Sequence, residues 1–544
     1  MSTSSDVLFL DFETRSPVDL PRCGAHVYFE HPETDVLIAR YAIGDGPVNV
    51  WLRQDKIPHL LAAHIEAGGV VSGWNVMGFE RLAFENVLSR KYGWPVPRLE
   101  QYSDTAHMAA AMSLPRSLGD AAEALALSVQ KDKEGQRLIN KFSKPRRPRK
   151  DEDPNGLYWN EPEDHPEDFA AFIRYCGTDV ETERAARKRL VPLSDYEQKV
   201  AVLNELVNQR GVRIDIVSAN HAVKLAAKAK KLFDAEMRRA TGGAVKACTQ
   251  VTNLVNWVEA QGVPLTSAKK AEITDLLESD DLAPHVRTAL ELRQEAAKTS
   301  VSKIDAMIRC ANRDGRVRGT SLYHGAGTGR FQNVKVNSSN MARPRKVYED
   351  DVLERGRLDV LFEAIKTEDP EALLMLYGPE VGRPMHLLSD SVRSLVWADP
   401  GKEFIQADYS SIEGVVLTWG AGEKWKLQAM RELKENPELP DMYRRAAASI
   451  MGMTTDEITK KHPLRQSVGK VSELALGYGG AVPAFHSMAR NYNVKLDPLY
   501  APVWAAASEE RREKAVRRYE GQLKRGASKT DVLSRNAWVA SNSW

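Results

Sequence analysis

The sequence predicts a multidomain protein of mixed class: an α/β domain over the first 190 residues, then a helical arm, then an α+β portion that turns helical toward residue 544. Three observations predict it. Strand-like apolar runs alternate with helical ones up to about residue 190, the pattern of a sheet flanked by helices. A long charged stretch from Tyr196 to about Cys310, with stops at Gly211, Gly242 and Gly262, carries helical periodicity. At roughly 150 residues per domain, the length leaves room for three or four separate cores.

Composition narrows the classes further. With 76 basic and 74 acidic residues the net charge is +2, so no acidic or basic tail dominates and any contact with phosphates must be local. Four cysteines without a Cys-x-x-Cys spacing argue against a disulfide framework and a cysteine zinc site, and point to a reducing cytoplasm. The start, MSTSSDVLFLDFET, has no basic region ahead of its short apolar run, and no stretch of about 18 apolar residues occurs. Secretion and membrane insertion are not expected.

In chain order, Val7–Leu10, Val36–Ala42 and Val70–Val71 read as strands, and Leu82–Leu88 and Leu118–Leu127 as helices. Residues 141–150, KFSKPRRPRK, hold six basic residues in ten, and residues 151–168 hold eight acidic ones among prolines. That switch fits either a solvated insertion loop or a contact of Lys144–Lys150 with a DNA backbone. After Asp314, strand-like segments return at Arg316–Leu322 and Glu403–Ala407, with a linker near Arg343–Asp350. From Ile412 onward the chain reads as helical.

Asp11 and Glu13, in LDFET, close an apolar run, so strand alternation points both carboxylates to one face with Phe12 opposite. Two such groups can share hard divalent cations, and two-metal hydrolysis of a phosphodiester needs further acids. Candidates follow in order: Asn75 and Glu80 in GWNVMGFE, then Tyr175 and Asp179 in RYCGTDVETE, the last pair at i and i+4 on one helical face. Cys176 between them reads as a small core residue. Singly, each feature is ordinary.

Together, in that order, they resemble the proofreading 3′-to-5′ exonucleases of the DEDD type, tyrosine subclass, across roughly residues 5–190. The resemblance implies an RNase H-like domain in which Asp11, Glu13, Glu80 and Asp179 hold the metals and Tyr175 orients the attacking water. Most members carry aspartate where this chain has Glu80.

A second set lies near the other end. FIQADYSSIE puts Asp408 at the end of an apolar run with Glu413 just after it, where a carboxylate could hold Mg²⁺ against a triphosphate or cap a helix. LRQSVGKVSELALGYGG puts Lys470, Leu474 and Tyr478 on one helical stripe. That stripe fits phosphate, sugar and base contacts, or an amphipathic helix with a snorkelling lysine. Upstream, HGAGTGRFQN and NSSNMARP offer glycine turns with Arg330, Asn340 and Arg343.

The succession of Thr328–Arg330, NSSNMARP, DYSSIE and K-x-x-x-L-x-x-x-Y-G resembles family A DNA polymerases of the bacterial polymerase I type, and details such as GAGTGR and ALGYGG are most similar to the bacteriophage branch. The resemblance implies an exonuclease domain over 1–190, a thumb with its lead into the palm over 191–314, a partial palm over 315–417 and fingers over 418–544. It further implies Asp408 as a catalytic metal ligand, Glu413 as the steric gate against a 2′-hydroxyl, and Lys470, Leu474 and Tyr478 around the incoming nucleotide. Arg330, Asn340 and Arg343 would touch DNA, with Lys298 and Lys303 as phosphate contacts on the thumb. Two Mg²⁺ or Mn²⁺ ions per site, dNTP, primer-template and single-stranded DNA are the implied cofactors and partners, in the cytoplasm of a bacterial host.

The sequence departs from that pattern in three ways. Leu474 replaces a stacking aromatic. The family's arginine four residues before the lysine is Gln466, and Arg465, one residue further away, falls off the stripe of a regular helix. The family's second palm carboxylate lies in a His-Asp motif, and no His-Asp dipeptide occurs. The palm is therefore expected to be incomplete, with a second polypeptide supplying the rest or the chain being a truncated product. A stand-alone exonuclease with a relic polymerase, or a non-catalytic primer-template binding factor, are the alternatives.

Overall fold

A computed structural model of the chain describes residues 7–128, 135–279, 281–298, 300–342, 344, 355–476, 482–491 and 500–524. Tyr478, Arg343 and most of the linker near 343–350 lie outside the described residues. The chain divides into two compact units, 1–403 and 404–544.

In the first unit, β1 (Val7–Arg15), β2 (Asp35–Ile43), β3 (Asn49–Leu52), β4 (Val70–Gly73) and β5 (Tyr102–Asp104) form one sheet in the order β3-β2-β1-β4-β5. The β1–β2 and β2–β3 pairs are antiparallel, while β1–β4 and β4–β5 are parallel. Central β1 is covered on both faces, which explains why it reads as a nearly unbroken apolar run. Leu8, Leu10 and Phe12 enter a core with Val71 and Phe84, whereas Val7 and Phe9 meet Val180 on the opposite side. The helix Pro166–Arg189 covers that second face. It begins with Pro166, Glu167 and Asp168 and ends with Arg187, Lys188 and Arg189, charges that complement its dipole at both ends.

The charge switch folds back on itself. Arg146 pairs with Glu152, Arg137 and Lys141 pair with Asp168, and Glu161 bridges Arg15 and Arg53. Two of the six basic residues in 141–150, Lys141 and Arg146, are thus met by the acidic stretch that follows.

The expected helical arm is built from Ile216–Ala240, Val251–Ala260, Lys270–Leu277, Pro284–Ala296 and Ser300–Arg309 around Leu225, Leu254, Leu290 and Ile304. A small sheet sits at its base, in the order β10-β6-β7, from β6 (Val212–Ile214), β7 (Arg316–Val317) and β10 (Val396–Trp397). The single strand expected over Arg316–Leu322 is broken: Gly319 at φ +63° turns the chain, and β8 (Ser321–Leu322) pairs instead with β9 (Gln332–Asn333).

The strand expected at Glu403–Ala407 is not one. This segment is unpaired coil, with Phe404 and Ile405 exposed. An extended segment becomes a strand only when a neighbour completes its hydrogen bonds, and among the described residues the 404–544 unit holds no strand to do so. That unit is helical, with Ile412–Gly420, Lys424–Glu435, Met442–Met451 and, after a π-helical turn at Arg465–Lys470, Val471–Leu476.

Candidate functional site

The odd-numbered residues of β1 face the helix Pro166–Arg189, so Asp11 and Glu13 follow Val7 and Phe9 onto that side while Phe12 packs against Phe84 and Trp94. Tyr175 and Asp179, one turn apart on the helix, come down onto the same strand end. The phenol of Tyr175 is hydrogen-bonded to Asp179, and its pKa is raised first by burial and then by Asp179, Glu13 and Asp11. It therefore stays protonated. The ring is seated against Gly135, where any Cβ would lie about 2.1 Å from the ring carbon Cε2, so this position admits only glycine while Tyr175 is in place.

Glu80 reaches the cluster from the loop after β4. It is 3% exposed, and burial followed by the Asp11 charge pushes its carboxyl well above the usual range. The loop is held by Asp104, a residue absent from the expected set. Its carboxylate at the end of β5 accepts from the backbone N–H groups of Asn75 (3.1 Å), Met77 (3.1 Å), Ala106 (3.0 Å) and His107 (3.3 Å). It thereby caps the helix Thr105–Ala111 and fixes the loop that delivers Glu80. An Asp between a strand and a helix is a legible N-cap; its hold on residues 75–77 is not.

Two other neighbours went unforeseen. Cys176 is buried in the core, as expected, but its thiol also donates to the Asp11 carboxylate at 3.3 Å. Arg40 sits opposite Asp11 on β2, donates to the Val48 carbonyl at 3.1 Å, and fills the space a Cβ at Gly177 would need.

The cluster suits a hard divalent cation. Carboxylate oxygens of Asp11 and Glu13 lie within 4.8 Å of one another and of the Cys176 sulfur. Buried Glu80 Oε2 has no hydrogen-bond partner, a state that costs free energy unless something positive meets it. Burial pushes the Cys176 thiol up, so oxygen donors dominate the set.

In the 404–544 unit a cavity of about 310 Å³ is lined by Asp408, Glu413, Leu474 and the Lys426–Glu473 ion pair (2.8 Å). Asp408 and Glu413 are exposed there. Lys470 precedes Leu474 on the same helical stretch and is half-buried. The helix is irregular where Arg465 lies. On an α-helix, five residues turn through about 500° and leave two side chains about 140° apart; in a π-turn, residues i and i+5 are bonded partners on one face. Arg465–Lys470 is such a turn, so its backbone absorbs the extra residue and brings positions 465 and 470 toward one face. Arg465 pairs with Asp441 at 2.8 Å and lies over the Tyr443 ring. Gly469 permits this packing, since a Cβ there would meet the Tyr443 carbonyl.

Among the expected DNA contacts, Arg330 is exposed where the β8–β9 hairpin closes, and the Lys303 ammonium donates to the Asn340 carbonyl, bringing those two together. Lys298 is half-buried beyond the end of the helix Pro284–Ala296.

No family model matches the chain. It is 35% identical over 487 residues to a protein named DNA polymerase from Bacillus phage SP02, a match covering 88% of this chain and 70% of the relative. Its fold is similar, with a TM-score of 0.51 and 13% identity, to the polymerase domain of Pol1 from M. smegmatis, solved in complex with DNA primer-template and dNTP; the likeness covers 99% of this chain and 81% of that one. The chain belongs to the DNA polymerases. Among the described residues no helix is long and apolar enough to cross a membrane.

Proposed function

We propose that this DNA polymerase is of family A and carries a metal-dependent 3′-to-5′ exonuclease in residues 7–190. The observation that carries the proposal is the convergence of Asp11, Glu13, Glu80, Tyr175 and Asp179, from strand β1, the segment after β4 and a helix face, on one acidic cluster with a partnerless buried oxygen. The strand order β3-β2-β1-β4-β5, with its antiparallel and parallel pairs, supports it as an RNase H-like arrangement.

Asp11, Glu13, Glu80 and Asp179 would hold two Mg²⁺ or Mn²⁺ ions. Such ions supply charge neutralisation at the scissile phosphate and an activated water when bound. The chain's own residues do the remainder. Tyr175, whose hydroxyl donates to Asp179, would orient the water by accepting one hydrogen bond on the phenol oxygen. Asp104 holds the loop of Glu80 at a fixed height, and β1 keeps Asp11 and Glu13 in register. Single-stranded DNA, or the frayed end of a primer on its template, is the substrate.

For synthesis, the cavity around Asp408, Glu413 and Leu474 takes the dNTP. Lys470 and Arg465 meet its phosphates from the π-turn side, and Glu413 occupies the space of a 2′-hydroxyl. Tyr478, beyond the described residues, completes the template side. Arg330, Asn340 and Arg343 would contact DNA, with Lys298 and Lys303 on the thumb. Asp408 lies exposed on an unpaired segment, so synthesis would need a second carboxylate and a strand partner from outside the described residues. The test is degradation of a labelled single-stranded oligonucleotide with Mg²⁺: the parent chain shortens it from the 3′ end, and full activity in an Asp11→Ala, Glu13→Ala double variant refutes the assignment.

A further inference from the structure

The β8–β9 hairpin, whose tip carries Thr328–Arg330, consists of two strands of two residues each. So short a ribbon is not stable by itself in water. The helix Asp195–Arg210 holds it along one side, while Arg116 donates to the Tyr323 carbonyl at 2.8 Å. Asn208 presents its side-chain amide to Ser321 as a neighbouring strand would: Oδ1 accepts from the Ser321 N–H at 3.0 Å and Nδ2 donates to the Ser321 carbonyl at 2.8 Å. Asn204, one turn earlier, adds a second donor to that carbonyl at 3.3 Å. Two turns further back, Glu197 accepts from the Tyr323 hydroxyl at 2.5 Å. Residues 197, 204 and 208 are spaced by seven and four, so one helical face grips the hairpin at successive turns.

The next residue round the same helix reaches the loop beside the acidic cluster. Glu205, beside Asn204, pairs at 2.5 Å with Arg81, the residue next to Glu80, and Asn208 Nδ2 lies 3.4 Å from the other Glu205 oxygen. Arg81 is 1% exposed and also donates to the Met77 carbonyl at 3.0 Å, inside the loop that Asp104 clamps. Removing one partner from a buried ion pair of this kind is costly, so the linkage is stiff. An unbroken path of polar contacts therefore runs from Arg81, the chain neighbour of Glu80, through Glu205 and Asn208 to Ser321. All of it lies within one compact unit.

The geometry points to the helix Asp195–Arg210 as a rail that fixes the primer-side hairpin relative to the excision centre, with Asn208 as the positioning residue that sets the path of a primer end toward Glu80. This rests on the exonuclease reading above. A primer end fraying from a duplex must meet the hairpin and the acidic centre in one register, whereas a free single strand reaches the acids without the hairpin. Asn208 therefore matters for the first substrate and not for the second.

The experiment compares excision of a 3′-mismatched primer on its template with excision of the same strand alone, in Mg²⁺, for the parent chain, Asn208→Ala and Tyr323→Phe. The expected result is a loss of about tenfold on the mismatched duplex for Asn208→Ala, with the single-strand rate within about twofold of the parent, since ångström-scale misplacement costs rate steeply. Tyr323→Phe removes only the Glu197 contact and shows the same selective loss at about threefold; it carries the test should Asn208→Ala fail to fold. An unchanged ratio of the two rates in a folded variant, or an equal fall in both, overturns the inference while leaving the exonuclease reading intact. Absence of excision by the parent on either substrate overturns that reading and this inference together.

Discussion

The two candidate centres differ in how far each is organised by its own chain. Around Asp11, the carboxylates sit on β1, at the start of the short helix Glu80–Ala83 and on a helix face, and these are locked from several sides: Phe12 in the core, Gly135 under Tyr175, Asp104 beneath the loop before Glu80. Around Asp408, the acid lies on exposed coil, and the ordered part of the site is the helical wall with its π-turn and the Lys426–Glu473 pair. The contrast teaches that a metal-binding carboxylate in a motif is only half of a site; the other half is the scaffold that prevents it from moving.

The largest expected effect lies in the organised centre. Asp11→Ala with Glu13→Ala should lower single-strand excision by roughly a thousandfold or more, because two of the proposed metal ligands are lost; residual excision within tenfold of the parent would break the contrast at its stronger end. Asp104→Asn tests the scaffold without touching the proposed ligands. It weakens several charge-assisted bonds to the loop, so urea unfolding should show a loss of about 2–4 kcal/mol. Excision should also fall by about ten- to a hundredfold as Glu80 loses its fixed height. A stable variant with parental excision would mean that the loop needs no clamp.

At the other centre, Glu413→Ala should raise ribonucleotide incorporation by about tenfold in any assembly that restores synthesis, by opening room for one hydroxyl. The comparison is read from paired dNTP and rNTP incorporation rates, and unchanged discrimination removes Glu413 as the gate.

The smallest effect concerns Glu183, buried between Ser72 and Thr105 with its pKa pushed up to about 7, chiefly by burial. The folded state keeps a proton that the unfolded chain releases near the ordinary carboxylate value. Stability from this group is therefore fully present below about pH 4.5, falls as pH rises toward 7 and levels off beyond, amounting to about 3 kcal/mol at most. Glu183→Gln should flatten the unfolding free energy between pH 5 and 7 relative to the parent; parallel pH curves would show that Glu183 does not titrate there.

The parts legible in the sequence are those governed by local periodicity. Alternation on β1 separates Asp11 and Glu13 from Phe12, and the i,i+4 spacing of Tyr175 and Asp179 puts them on one face. Features that depend on distant partners were not legible. The Asp104 clamp links residues about thirty apart in sequence, and the thiol of Cys176 meets Asp11 only because a helix crosses β1. Phe404 and Ile405 have strand-like character, yet no described strand in their unit pairs with them. The π-turn at Arg465–Lys470 changes which residues align without leaving a mark in the spacing of apolar residues, so a 100° count misplaces Arg465.

The contrast between an organised centre around Asp11 and an exposed one around Asp408 has a direct test in a single assay. The purified chain, free of host polymerase, is given a 5′-labelled primer on its template with Mg²⁺, with and without all four dNTPs, and product lengths are followed over time. The account predicts shortening from the 3′ end in both conditions and no extension with dNTPs. Robust extension by this chain alone, abolished by Asp408→Asn, would contradict it.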